Sequence, residues 1–452
     1  MKFWPLLVLL FAGAACAEPE SLLRLYRDAR ANHPLYLAAR AEAAAEAERE
    51  PIARGRLLPN INLSGSYGQS DSKRTTPGAG AERFEYDNYA YSLNLRQPLF
   101  RMQEFAEYRK AGILGRSAEE IAGRAENELV LGMVTTFLEL LLLDERLHLQ
   151  AAQRTAALGQ LAAARRGFEL GSGTRIDVDE VQARVDLLAA QTYELEHQRA
   201  FRQRELEGYV GRPLGELPEF VAEAFTPAQF LPSGPVEEWV AGALAANHDY
   251  RLLAAQAEAA QQDVLSARAG HYPTLDLVAS AGRSSNDNLS SLTSAGDVRY
   301  ETNHLGLQIN VPLFAGGQVS AQLRQAQARA TQVRYRLEEF RARLEREVRR
   351  EYDNVSRGWE MVRALELAER SAQQSARAVG KGIVAGVRST TDLLVAEQQH
   401  IAAKVDLARG RYQLLGSLLK LKSMVGAAYD TDFQRLDACF RKNNKNGIHD
   451  LK

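Results

Sequence analysis

Two stretches of this chain carry the same anchors in the same order, and that duplication limits the possible folds more than any other feature. Ala31-Asn32-His33 returns as Ala246-Asn247-His248. Pro59, in LLPNINL, returns 214 positions on as Pro273, in HYPTLDL. The run from Leu93 to Phe100, ending QPLF, returns at the same offset from Leu307 to Phe314, ending VPLF. Gly171 and Asp177 return as Gly386 and Asp392, and Val210-Gly211 as Val425-Gly426. The expected organisation is therefore a first repeat over 18–211, a linker over 212–235, a second repeat over 236–426 and a tail over 427–452. The linker holds Pro213, Pro218, Pro227, Pro232 and Pro235, which a helix cannot cross.

Ahead of the repeats, residues 1–17 read as a secretory signal: Lys2, the apolar run Leu6 to Ala12, then Ala15-Cys16-Ala17 as a small-residue cleavage site. Gly13-Ala14-Ala15-Cys16 is a poor lipoprotein box, and lipidation of Cys16 stands as the alternative. With ordinary cleavage Cys439 is the sole cysteine, so no intrachain disulfide can form. The chain is exported.

Each repeat changes periodicity in the same sequence. Residues 20–57 are Ala-, Glu- and Arg-rich and predict helix. Two strands of about ten residues follow in each repeat, the length a tilted barrel strand needs. In the first repeat Ile61, Leu63 and Tyr67 share one face of the first strand, a Gly/Ser/Pro-rich loop covers 70–82, and Tyr89, Tyr91, Leu93 and Leu95 alternate with polar residues until Pro98 closes the second strand. In the second repeat Leu275, Leu277 and Ala279 match the first strand, Asn286 to Gly296 the loop, and Leu305, Leu307, Ile309 and Val311 the second strand, with Pro312 at its end. Long helices follow over about 101–168 and 316–383. In the later one Val319, Leu323, Ala326, Ala330, Val333, Leu337, Phe340 and Leu344 step alternately by four and three, a coiled-coil seam. Breaks at Gly167 to Gly173 and Gly380 to Gly386 lead to further helices over 174–209 and 389–424.

Function classes fall away. The 56 basic and 57 acidic residues leave no excess charge for nucleic acid. The REVRRE stretch is read as self-paired, through Glu339 with Arg343 and Glu345 with Arg349. Mean hydropathy of −0.32 argues against a bundle of membrane helices. Leu129 to Leu143 is interrupted by Thr135, Thr136 and Glu139, and reads as the buried face of a soluble helix. The eight histidines are scattered, Gly380-Lys381-Gly382 lacks a phosphate-loop frame, and Ser417-x-x-Lys420 sits inside a helical pattern. His33 and His248 suggest a shared capping or packing role. Nothing calls for an enzyme, a metal or a cofactor.

Geometry leads further. Four strands cannot close a barrel, because about eight is the smallest bacterial size, and lipid does not tolerate open sheet edges. Several copies must therefore contribute four strands each, three copies giving twelve, while the polar helices extend into the periplasm and pair into a tube. Tyr86, Tyr89 and Tyr91 suit a membrane interface, with a soluble sandwich as the competing reading.

The ANHP start, the strand ends QPLF and VPLF, FELGSGTRID at 168–177 and GVRSTTDLL at 386–394 together resemble the TolC family of outer-membrane channels over nearly all of the exported chain. That resemblance implies an α+β membrane protein: a homotrimer whose twelve-stranded β-barrel in outer-membrane lipid continues as a periplasmic α-helical coiled-coil tunnel. It also implies docking on an inner-membrane transporter through a periplasmic adaptor protein. The GSGTR wording at 171–175 is similar to members serving type I secretion with an ABC transporter; multidrug efflux is the alternative, and a periplasmic coiled-coil structural or adaptor protein a further one.

By the same resemblance, charged residues after the glycine breaks (Gly171, Gly173, Gly386) close the periplasmic entrance: Asp177 in the first repeat, and Arg388 and Asp392 in the second. Three copies of Asp392 around one axis would repel one another, raising their pKa and attracting cations. Val395 stands where the family carries a second acid, and Ile383 where it carries a tyrosine. Both departures weaken the carboxylate ring and block by multivalent cations.

Overall fold

A computed structural model describes residues 20–78, 80–221, 225–226, 231–286, 298–385, 387–426 and 429–441. The signal at 1–17, Pro227, most of the second expected loop, Gly386, the side chain of Tyr86 and the Asn/Lys-rich end of the tail lie outside the described residues. Elements run in the order α1 (Leu22–Asn32), α2 (Pro34–Ala47), α3 (Arg49–Gly55), β1 (Asn60–Thr76), β2 (Gly80–Phe100), α4 (Met102–Arg116), α5 (Ala118–Glu169), α6 (Arg175–Val210) and β3 (Glu219–Phe220). Then come α7 (Val236–Ala246), α8 (His248–Ala269), β4 (Thr274–Asn286), β5 (Val298–Asn310), α9 (Gln318–Val384), α10 (Thr390–Met424), α11 (Tyr429–Asp437) and β6 (Phe440–Arg441). The chain divides into two units, one of Arg40–Ala122 with His248–Arg341, the other holding the remaining residues.

The first unit contains an antiparallel sheet in the order β1-β2-β4-β5, so the hairpins of the two repeats lie side by side and β1 and β5 are the edges. Residues paired across neighbouring strands share a face. One face carries Ile61, Leu63 and Tyr67, then Leu95, Leu93, Tyr91 and Tyr89, then Leu277, Ala279 and Ala281, then Leu307 and Leu305. The other carries Asn60, Asn62, Ser64 and Ser66, then Arg96, Asn94 and Ser92, then Ser280 and Gly282, then His304 and Thr302. The apolar face is uncovered: Leu63 is 77% and Leu305 76% exposed. The polar face is knitted by side chains, with Ser64 Oγ 2.9 Å from Ser92 Oγ and Asn94 Nδ2 donating to Ser92 Oγ at 3.0 Å. A soluble sheet puts the apolar side inward and the polar side out; here the apolar side is the bare one.

The strands exceed the expected ten residues, at 17, 21, 13 and 13. The loop expected over 70–82 is instead continuous ladder, from Ser70 opposite Tyr86 to Thr76 opposite Gly80, and only a tight turn with Gly78 at φ +87° remains. Its polar residues pair across strands, as Asp71 does with Arg83. Beyond the tyrosines the apolar face thus turns charged, and Tyr67 donates to Asp87 Oδ2 at 3.2 Å where the two zones meet. Pro98 does not close its strand either. β2 continues to Phe100 through a register shift between Pro98 and Phe100, where a missing N–H is tolerated. Pro312, by contrast, lies two residues past the end of β5.

Asp276 of β4 fastens one repeat to the other. Arg96 Nη2 lies 2.7 Å and Arg101 Nη2 2.6 Å from its Oδ2, with the carboxylate side chain only 3% exposed. Beside the sheet, α4 and α8 are joined by Lys110 and Asp263 at 2.6 Å. The first long helix is broken: α4 ends at Ser117, whose Oγ donates to Leu114 O at 2.8 Å and whose ψ is 0°, before α5 begins. The second, α9, runs unbroken for 67 residues, about 100 Å. Its predicted seam, Val319 to Leu344, is buried or half-buried at all eight positions.

In the other unit, Val130, Met133, Phe137 and Leu140 are fully buried, which is the soluble-helix reading of the Leu129–Leu143 run. No described helix is long and apolar enough to cross a membrane. The tail is partly built into this core. Phe440 meets Phe137 and Phe220 edge-on, β6 pairs with β3, and Asp437 accepts from the N–H groups of Leu22 and Leu23 at 2.7 and 3.2 Å, capping α1. The repeated Val-Gly anchors are helix stops, with φ of +73° at Gly211 and +84° at Gly426. Asn32 Nδ2 also donates to Val210 O at 3.0 Å. The two histidines serve differently: His33 ends α1 and stacks on Tyr209 at 5.2 Å, whereas His248 opens α8 with Nδ1 2.7 Å from Glu120 Oε2. In the REVRRE stretch Arg350 pairs with Glu347 of its own helix, whereas Arg349 reaches Glu237 of α7 at 3.1 Å, so one of its partners comes from another helix.

Asp276→Ala strands two guanidinium groups. It should cost about 2–3 kcal/mol, discounted because Arg96 is half exposed, and lower by several degrees the temperature at which the folded form loses its compact mobility on SDS gels.

Candidate functional site

The residues expected at the tunnel entrance lie at two equivalent helix turns, α5 to α6 and α9 to α10. In the first, α5 and α6 are held together by Ala157, Leu161, Val181, Val185 and Leu188, spaced to share helix faces. The turn closes when Ser172 and Gly173 both donate to Gly167 O, at 2.9 and 3.0 Å. Gly171 supplies the left-handed residue at φ +75°. A Cβ on Gly173 would stand 3.2 Å from the carbonyl carbon of Gly167, so a side chain here would require the turn backbone to give by a few tenths of an ångström.

The second turn repeats the hydrogen-bond scheme with different side chains. Val387 N donates to Gly382 O at 3.0 Å, as Ser172 does to Gly167. Arg388 replaces Gly173, and room for it is made on the facing residue: a Cβ on Gly382 would lie 2.7 Å from Arg388 Cγ. Gly382 and Gly167 thus receive the turn hydrogen bonds, a role that their place in the glycine breaks did not by itself reveal.

Both helices that leave the turns begin with a capping box. Thr174 Oγ1 accepts from Asp177 N at 3.2 Å, and Asp177 Oδ2 accepts from Thr174 N at 2.8 Å. Ser389 Oγ accepts from Asp392 N at 3.1 Å, and Asp392 Oδ2 accepts from Ser389 N at 3.1 Å. The T-x-x-D and S-x-x-D spacings could have announced this. These backbone N–H bonds hold the Asp177 and Asp392 carboxyls below the usual aspartate range, helped at Asp392 by Arg388, whose Nη1 lies 3.9 Å from Oδ2. Within one protomer the caps therefore oppose the upward shift that a ring of acids would impose. Arg388 stays exposed, as do Val395 and, on the apolar side, Leu170, Ile176 and Val387; Asp392 and Ile383 are half-buried. Elsewhere, Lys420 of the Ser417-x-x-Lys420 pattern is engaged by Glu347 and Glu351 at 3.0 and 3.1 Å. Among the described residues no cluster could hold a metal ion.

Thr174→Ala or Ser389→Ala should cost about 1 kcal/mol of local helix stability, roughly a fivefold rise in the frayed population, read as faster proteolysis at the turns. Because both aspartate pKa values are depressed on folding, the cap contribution is complete above about pH 4 and lost as pH falls through the depressed values. Amide protection at Thr174 and Ser389 should hold steady from about pH 8 to 5 and then decline.

The sequence profile of the family described as outer membrane efflux protein matches residues 25–212 and 239–427. The chain is 33% identical over 426 residues to the alkaline protease secretion protein AprF of Pseudomonas aeruginosa, covering 93% of this chain and 87% of that one. It is 30% identical to the proteases secretion protein PrtF of Dickeya chrysanthemi, covering 98% and 97%. Among solved structures, the CmeC outer membrane channel of Campylobacter jejuni superposes with a TM-score of 0.79 at 16% identity, covering 93% of this chain and 89% of that one. With both repeats matched and the sheet and helices in place, the chain belongs to the outer membrane efflux protein family.

Proposed function

We propose that this protein is the outer-membrane exit duct of a type I protein-secretion machine, working as a homotrimer with a periplasmic adaptor and an inner-membrane ABC transporter. The observation that carries the channel is the four-stranded sheet with a bare apolar face, a polar face and two open edges. In lipid those edges must be paired and the apolar face fits the bilayer, so copies close into a barrel with the Asn- and Ser-lined face toward its water-filled interior. The strand directions alternate through the sheet, so β5 of one copy meets β1 of the next antiparallel and three copies close without a mismatch. The tyrosines between the apolar and charged zones fit the headgroup level. The protein resides in the outer membrane, with its helices in the periplasm, and acts as a channel rather than an enzyme.

Protein cargo is favoured by the two relatives named for protease secretion, each matched over most of its length. Deleting the gene should clear ABC-exported proteins from the culture medium and leave drug susceptibility unchanged. The reverse pattern would assign the chain to efflux.

Asp177, Arg388 and Asp392 form the periplasmic gate in this reading, and the exposed Leu170, Ile176 and Val387 beside them offer an apolar surface to an adaptor. Arg388→Ser or Asp392→Ala should raise single-channel conductance in a planar bilayer; unchanged conductance in both would remove the gate from these residues.

A further inference from the structure

The two ends of the sheet treat the same motif differently. Leu99 and Phe100 of QPLF end a paired strand and are 46% and 43% exposed. Leu313 and Phe314 of VPLF lie past the end of β5 and are 92% and 89% exposed. Sequence does not explain the contrast, because both runs end Pro-Leu-Phe. Neighbours do: β2 has β4 alongside it, whereas β5 is an edge. VPLF has the residues of a strand end and lacks the strand that would cover it.

The duplication names that strand. β4 is the repeat equivalent of β1, and β2 of β5, each at an offset of 214. The contact of β2 with β4 inside the protomer therefore has a counterpart in β5 against β1 of another copy. We propose that β5 of one protomer pairs with β1 of the partner subunit in the register that β2 keeps with β4. The observed pairs Leu93–Ala281, Asn94–Ser280 and Arg96–Val278 then become Leu307 opposite Tyr67 of the partner subunit, Gln308 opposite Ser66 of the partner subunit, and Asn310 opposite Ser64 of the partner subunit. The faces agree: Leu307 and Tyr67 both belong to the apolar side, Gln308 and Ser66 both to the polar side. A slip by one residue would reverse that and is excluded by the pattern. Pairing continues through Pro312 as it does through Pro98, and covers Leu313 and Phe314.

One feature of the inner seam is not copied. Asp276, Arg96 and Arg101 have Asn62, Asn310 and Ala315 as equivalents, so the seam between subunits lacks the buried charge clamp. From Leu305 to Asn310 it is held by backbone pairing and uncharged side chains.

This register rests on the trimeric channel reading above, and its test separates the two. Paired Cα atoms stand about 4.5–5.5 Å apart, within disulfide reach. A slip of two residues adds about 6.6 Å along the strand and removes them from it. In the full exported chain, whose own Cys439 is buried, Gln308→Cys with Ser66→Cys should give oxidant-dependent covalent dimers and trimers in outer-membrane extracts. Leu307→Cys with Tyr67→Cys repeats the test on the opposite face should the first pair fail to fold. Each single variant should stay uncrosslinked, and Gln308→Cys with Ser64→Cys or Gly68→Cys should link at least tenfold less. Preferential linking by a slipped pair in intact trimers would overturn the register and leave the channel standing. Absence of linking in every pair, with no SDS-resistant trimer of the unaltered chain, would overturn both.

Discussion

A backbone N–H or C=O left without a partner in hydrocarbon is too costly to keep, and the organisation of this protein follows from that constraint. Each protomer supplies four strands and two bare edges, β1 and β5. Because the sheet cannot curl up on so few strands, the chain is committed to partners before any helix is considered. The same constraint explains why the apolar face is exposed and the serine and asparagine face is internally hydrogen-bonded. The sheet is built for a solvent that is oily outside and wet inside.

The helices obey the opposite requirement. They are too polar for lipid, and their stability comes from narrow seams of small and branched residues, as along Val319 to Leu344. Where each long helix reverses, the chain solves the same problem twice: a carbonyl of Gly167 or Gly382 receives the turn, and a hydroxyl–aspartate pair caps the outgoing helix. The aspartates proposed for the gate are thus structural before they are electrostatic. Replacing one changes both the charge at the turn and the order of the helix behind it. The exchange of Gly173 for Arg388 is one difference between the two turns, and it sets a guanidinium beside the capping aspartate of the second repeat.

Much of this was legible in the sequence, because duplication, period-two alternation and the four-three seam are direct images of packing. The features that were not legible share a cause. Residues 70–82 look like a loop since they are rich in Gly, Ser and Pro, yet Asp71 and Arg83 pair across a ladder that needs no apolar residues once it has left the membrane. Pro98 looked like a terminator because the bulge that accommodates it depends on β4, a strand 176 residues later in sequence. The break at Ser117 comes from one hydroxyl bonding its own helix, a choice that equally well leaves a helix intact elsewhere. The tail carried no periodic signal, and its place is set by tertiary contacts of Asp437 and Phe440 with residues hundreds of positions away.

The central claim is that this chain is stable only as a ring of copies. Native mass spectrometry of the exported protein released from detergent micelles addresses it directly. A dominant species of three chains, with no monomer surviving once detergent is withdrawn, is the predicted result. A monodisperse single chain, soluble and folded in plain buffer, would contradict it.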